Sequence, residues 1–126
     1  MATILVVDDD DVFRAALRVI LEAAGYAVME APDGEAGLRV YREQGADLIL
    51  VDLFMPKRDG LEMIQALRAM IPQPKTIAMS GGGTIGPRDM LAAAAALGAA
   101  RTLRKPFASR DLLAAIEELL EDRARG

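Results

Sequence analysis

The sequence predicts an α/β fold, a doubly wound five-stranded parallel sheet of strand order 2-1-3-4-5 flanked by five helices. Three observations predict it. Hydrophobic patterning switches repeatedly between short continuous β-favouring runs and helical spacing. The runs at Ile4–Val7, Leu48–Val51 and Thr76–Met79 are apolar, as the central strands of a sheet covered on both faces must be. The runs at Tyr26–Met29 and Arg101–Arg104 are more mixed, and belong at the edges.

Each element follows in order. Ile4-Leu5-Val6-Val7 is the first strand, ended by the acidic stretch Asp8 to Asp11. Phe13, Ala16, Leu17, Ile20, Leu21 and Ala24 then recur at helical spacing. Asp10 or Asp11 can cap this helix, which starts near Val12 and stops at Gly25. Tyr26–Met29 is the second strand, and a turn at Pro32-Asp33-Gly34 leads into a helix near Glu35 to Glu43. Leu48–Val51 is the third strand and runs directly into Asp52. Past the loop Met55 to Gly60, Leu61, Ile64, Leu67 and Ile71 share one helical face, which Pro72 and Pro74 close. Thr76–Met79 is the fourth strand, and a glycine-rich segment, Ser80 to Gly86, follows it. Pro87 suits the first turn of the fourth helix, which runs through an alanine-rich stretch to about Leu97, where Gly98 stops it. Arg101–Arg104 is the fifth strand, Leu112, Leu113, Ile116, Leu119 and Leu120 stripe the last helix, and Glu121 to Gly126 reads as a charged tail.

A chain of 126 residues, 52% apolar and 27% charged, suits one globular domain spanning residues 1–126. No linker, repeat or second domain is visible. Cysteine and histidine are both absent, which excludes disulfides, Ser-His-Asp triads, histidine-ligated zinc and a phosphohistidine carrier. A net charge of −4 argues against a nucleic-acid partner, which needs a basic surface. No apolar run approaches the roughly 20 residues that span a bilayer. No basic segment precedes the first strand, so a secretory signal is not expected and the expected location is cytoplasmic.

The chemistry gathers just past the strand ends. The first strand delivers Asp8 and Asp9, the third Asp52, the fourth Ser80, and the fifth Lys105 followed by Pro106-Phe107. If the sheet forms, three carboxylates, a hydroxyl and an ammonium converge at its carboxyl end. Carboxylates this close repel one another unless a cation intervenes, and magnesium is the natural occupant of an oxygen-only site. Asp10 and Asp11 are better read as helix caps. Asp52 is not followed by a helix that it could cap, and Lys105 by itself would pass for a solvated lysine.

The pattern Val6-Val7-Asp8-Asp9, then Leu50-Val51-Asp52-Leu53-Phe54-Met55-Pro56 with Asp59-Gly60, then Ser80, then Lys105-Pro106-Phe107 resembles the receiver family of two-component signalling, from Ile4 to about Leu120. The resemblance implies a flavodoxin-like, single-domain response regulator, bacterial and cytoplasmic, and a signalling switch rather than an enzyme. Asp52 would be the phosphoacceptor, and Lys105 and Ser80 would each meet a phosphoryl oxygen. Asp9, Asp52 and the backbone carbonyl of Phe54 would ligate Mg2+, with Asp8 helping directly or through water. The implied partners are a histidine kinase or a histidine phosphotransfer protein and an unnamed downstream protein, with neither nucleic acid nor membrane bound directly. The expected state is a monomer or weak homodimer.

Two departures from the family pattern alter the expected output. The position three before the lysine, often aromatic in the family, holds Thr102. Signal should therefore pass through the Ser80 loop and the face formed by the fourth helix, fifth strand and fifth helix. The segment Ser80 to Pro87 is also longer and richer in glycine than the family's usual loop, which suits either a switch or a plain connector. The rival readings are a receiver module of a longer DNA-binding regulator, a small aspartyl-nucleophile phosphatase, and a flavodoxin-like cofactor binder. Phe54 stands where haloacid-dehalogenase-like phosphatases usually carry a second Asp, and the aspartates after the first strand would repel FMN phosphate.

Overall fold

The computed structural model of the chain describes residues 1–53, 60–81, 92 and 94–125, with side chains described as far as Glu121. Among these, five strands form one parallel sheet: β1 (Thr3–Val7), β2 (Ala27–Ala31), β3 (Leu48–Asp52), β4 (Lys75–Ser80) and β5 (Arg101–Arg104). Their order is β2-β1-β3-β4-β5, as the hydrophobic sorting of the strands predicts. The helices are α1 (Asp11–Ala23), α2 (Gly34–Gln44), α3 (Gly60–Arg68), α4, described at residues 92 and 94–97, and α5 (Ser109–Arg125).

Side chains alternate between the two faces of a strand, and the fold uses both. Ile4, Val6, Leu48, Leu50, Ile77 and Met79 pack under Leu17 and Leu21 of α1 and Leu112, Ile116 and Leu119 of α5. Leu5, Val7, Ile49 and Val51 face the other way, against Leu38 of α2 and Met63 and Leu67 of α3. β1 and β3 are therefore buried on both sides, which accounts for their continuous apolar runs. Burying each large aliphatic side chain stabilises the fold by roughly 1.5–3 kcal/mol before conformational entropy is charged against it.

Local signals set the element ends. Asp10 caps α1 by accepting hydrogen bonds from the amides of Val12 and Phe13, both at 3.0 Å. Asp33 caps α2 in the same way through the amide of Ala36, at 2.8 Å. Gly25 and Gly98 end their helices with φ of 97° and 118°, a region that glycine enters without a Cβ penalty.

Three expectations are corrected. The helical spacing read along α1 is wider than its buried line: Leu17 and Leu21 are buried, whereas Ala16 and Ala24 are exposed. The helical face read from Leu61 through Ile71 is shorter than its spacing suggests: α3 ends at Arg68, short of Pro72, and Ile71 is 98% exposed. Glu121 to Arg125 extend α5 rather than forming a tail, since glutamate, alanine and arginine are good helix formers and the stretch contains neither glycine nor proline. The proposed start of α4 at Pro87 and most of the glycine-rich segment lie outside the described residues. No helix among the described residues is long and apolar enough to cross a membrane.

Candidate functional site at the carboxyl end of the sheet

Parallel register brings all five strands to a common carboxyl edge. Val7 pairs with Val51, so Asp8 emerges beside Asp52. Asp52 pairs with Met79, and Ser80 pairs with Arg104, so Lys105 emerges beside Ser80. The amide of Lys105 donates to the carbonyl of Ser80 at 2.8 Å, and the amide of Leu53 donates to the carbonyl of Met79 at 2.9 Å. These bonds carry the ladder one residue past the strand ends. Alternation does the rest: Asp8, Asp52 and Lys105 continue the series of Val6, Leu50 and Leu103, which packs on the α1/α5 side.

The carboxylates of Asp8, Asp9 and Asp52 each place an oxygen within 4.8 Å of the others. Asp8 is fully buried, Asp52 is 5% exposed, and Asp9 is exposed. The Lys105 ammonium donates a hydrogen bond to Asp8 Oδ2 at 2.8 Å and stands 3.7 Å from Asp52 Oδ1. Asp8 also accepts from the amide of Asp10 at 2.9 Å, which ties the acidic turn to the start of α1. Ser80, fully buried, donates a 3.3 Å hydrogen bond to the carbonyl of Gly81. The structure thus brings together Asp8, Asp9, Asp52 and Lys105, with Ser80 on the neighbouring strand end. Phe54 lies outside the described residues. Thr102 is half-buried on β5, in register with Ala78.

Sequence reasoning missed three contributors. Phe13, named only for its helical spacing, places its ring centroid 4.0 Å from the Lys105 ammonium. Arg14 donates from its guanidinium to the carbonyl of Asp8 at 2.6 Å and to Glu30 at 2.9 Å, clamping α1 and the end of β2 to the acidic turn. Hydrogen bonds from Arg18 and then Arg14 hold the Glu30 carboxyl below its ordinary range, although burial works the other way. Burial opposes the charged form of Arg14, but its bonds to Asp11 and Glu30 outweigh that and raise it above the ordinary guanidinium range. The third is Gly60, where a Cβ would press on the Asp52 carbonyl and come within 2.7 Å of Leu53 Cα. Its only signal in the sequence is the Asp59-Gly60 pair after the acceptor strand. A cleft at the opposite end of the sheet, near Tyr41, Asp47 and Lys75, takes no part in this cluster; its Asp47 accepts from the amide of Thr3 at 2.7 Å.

A family model described as the response regulator receiver domain matches residues 4–117. The chain belongs to the response-regulator receiver family. Among relatives of this receiver domain, the probable chemotaxis protein CheY of Rhizobium etli is 37% identical over 115 residues, covering 90% of this chain and 88% of that protein. The transcriptional regulatory protein CpxR of Escherichia coli is 36% identical over 120 residues, covering 95% of this chain. The receiver domain spans 50% of the length of CpxR, so it matches about half of that longer regulator. Among solved structures, a CheY-like response regulator receiver domain protein from Methanospirillum hungatei superposes with a TM-score of 0.90 at 29% identity, covering 99% of this chain and 98% of that one. The receiver domain is therefore of the two-component signalling type, and the fold reading from the sequence holds.

Proposed function

We propose that this receiver domain is a phosphorylation switch in a two-component phosphorelay, in which Asp52 accepts a phosphoryl group from the histidine of a sensor kinase or a histidine phosphotransfer protein. The observation that carries the reading is the setting of Asp52: nearly buried, 3.7 Å from an ammonium and within 4.8 Å of two further carboxylates. An Asp52 oxygen forms the new O–P bond as the N–P bond of phosphohistidine breaks, and the imidazole nitrogen leaves with the bonding pair and takes a proton from water. Such transfer asks of the protein mainly position and charge neutralisation. Lys105 supports both, since a small shift away from Asp8 would bring its ammonium to an oxygen of the transferred group. The Ser80 hydroxyl gives up only a long bond to Gly81 when it turns toward a second phosphoryl oxygen.

The donor set fits a divalent cation. Three formal carboxylate charges against one ammonium leave an excess of two negative charges in a space less than 5 Å across. The donors are hard oxygens and the chain has neither histidine nor cysteine, so Mg2+ is the matching ion. Asp8, Asp9 and Asp52 would hold it, with the Phe54 carbonyl that the family resemblance adds. Bound there, it supplies neutralisation of the charge on the phosphoryl group. On this reading the domain is a switch with self-phosphorylation and slow self-dephosphorylation, working in the cytoplasm and signalling to a downstream protein through Ser80 and the α4-β5-α5 face.

A second reading is favoured by one observation: CpxR, a transcriptional regulatory protein by name, carries the matching region as half of its length. On that reading this receiver domain governs an attached DNA-binding module. Both readings share the same chemistry. Incubation with acetyl phosphate and Mg2+, followed by mass-spectrometric mapping, tests it. Label on Asp52, lost in Asp52→Asn and kept in Asp10→Ala, is expected. Undiminished labelling of Asp52→Asn would remove the assignment.

A further inference from the structure

We infer that Phe13 is a positioning residue for Lys105, its ring holding the ammonium at the junction of Asp8 and Asp52 and so setting how fast Asp52 is phosphorylated. The inference rests on the phosphoacceptor reading of Asp52 given above. The Lys105 ammonium lies 4.0 Å from the centroid of the Phe13 ring while bonded to Asp8 at 2.8 Å and 3.7 Å from Asp52. Phe107, two residues beyond the lysine, meets Phe13 edge-to-face with centroids 5.9 Å apart and planes at 84°. That geometry directs the positive edge of one ring at the negative face of the other, and it fixes Phe13 in orientation. The lysine side chain is 18% exposed, so its contact with the ring is largely shielded from water, where cation–π attraction is strongest.

The ring suits its place chemically. A lysine stem has four rotatable carbons, and holding its end in one position costs rotamer entropy that an attractive surface must offset. A further carboxylate there would hold the ammonium too, but it would compete with the phosphoryl oxygens and add negative charge to a site that already carries an excess. An aromatic face attracts the cation without either effect. Lys105 can therefore move from Asp8 toward the phosphoryl group while remaining over the ring. Phe13 comes from the first turn of α1, an element that donates no carboxylate to the cluster, so its substitution leaves the cation ligands in place.

The test combines a spectroscopic and a kinetic readout on the whole chain. The Lys105 ε-methylene protons should resonate upfield of a free lysine through the ring current of Phe13. They should return toward the free position in Phe13→Leu and stay upfield in Phe13→Tyr. Phosphorylation by acetyl phosphate with Mg2+ should slow about 5-fold in Phe13→Leu, the size of a partly shielded cation–π contact, with magnesium affinity unchanged and the rate restored in Phe13→Tyr. In a Lys105→Ala background, Phe13→Leu should change the rate no further. Unshifted methylene protons in the unsubstituted protein overturn the inference, as does equal slowing by Phe13→Leu with and without Lys105. A protein that takes no phosphoryl group on Asp52 yet shows the ring-current shift overturns instead the phosphoacceptor reading and the kinetic half of the inference.

Discussion

Replacing Asp9 by asparagine should make the metal-free receiver domain more stable, and the size of the effect follows from the geometry of the acidic cluster. Asp9 keeps an oxygen within 4.8 Å of an oxygen on Asp8 and of one on Asp52. Because Asp9 is exposed, water sets the effective dielectric, and each such pair costs roughly 0.9 kcal/mol at that separation. Attraction to Lys105 returns part of the two repulsions, which leaves about 1 kcal/mol of net destabilisation from the Asp9 charge. Asparagine has nearly the same shape and removes the charge alone. For a domain of this length, about 1 kcal/mol raises Tm by about 3–5 °C. The assay is thermal unfolding followed by circular dichroism, in chelator and again in excess MgCl2. In chelator, Asp9→Asn should melt above the unsubstituted protein, by a margin that shrinks with added monovalent salt. In MgCl2 the order should narrow or invert, because a ligand stabilises the fold according to its affinity and the variant has lost one oxygen donor. A variant that melts at or below the unsubstituted protein in chelator, or that gains as much from Mg2+, would refute the reasoning.

Other outcomes follow from the same structure. Gly60→Ala should cost about 2–3 kcal/mol in urea unfolding, because the added methyl meets the backbone of Asp52 and Leu53, which cannot swing aside as a side chain would; stability equal to that of the unsubstituted protein would show that α3 does not press on the acceptor strand. Glu30→Gln should flatten the acid limb of the stability curve. The folded carboxyl is held below its ordinary value of 4.5 by Arg18 and Arg14, so its contribution is present above that value and is lost as pH falls through the lowered one. Urea midpoints of the two proteins should therefore differ at neutral pH and converge below pH 4.5, and a gap of constant size would contradict the ion-pair assignment.

Strand identity was legible because burial on two faces leaves a residue no choice of polarity. Ile4 to Val7 and Leu48 to Val51 carry that mark, and the mixed run at Arg101 to Arg104 marks an edge just as plainly. The cap of α1 was legible to within one residue, Asp10 or Asp11, because a cap acts within three residues of itself; Asp33, read only as part of a turn, caps α2 by the same local geometry. The end of α3 was not legible. Ile71 keeps the helical spacing of Leu67, and only the turn after Arg68 takes it out of the core.

The order of strand-end residues along the chain determined which groups could form the site: Asp8 and Asp9, Asp52, Ser80 and Lys105 each stand at or just past the carboxyl end of a strand, and a parallel sheet must deliver all of them to one edge. Their partnership was decided only in three dimensions. Whether Lys105 meets Asp8 or Asp52 depends on the stagger between β1, β3 and β5, and on a ring from α1 ninety-two positions away in sequence. Phe13 has the same spacing as any core residue, so no local pattern separates a side chain that fills space from one that faces an ammonium. Contacts between distant segments are set by packing and register, which the linear order constrains but does not encode residue by residue.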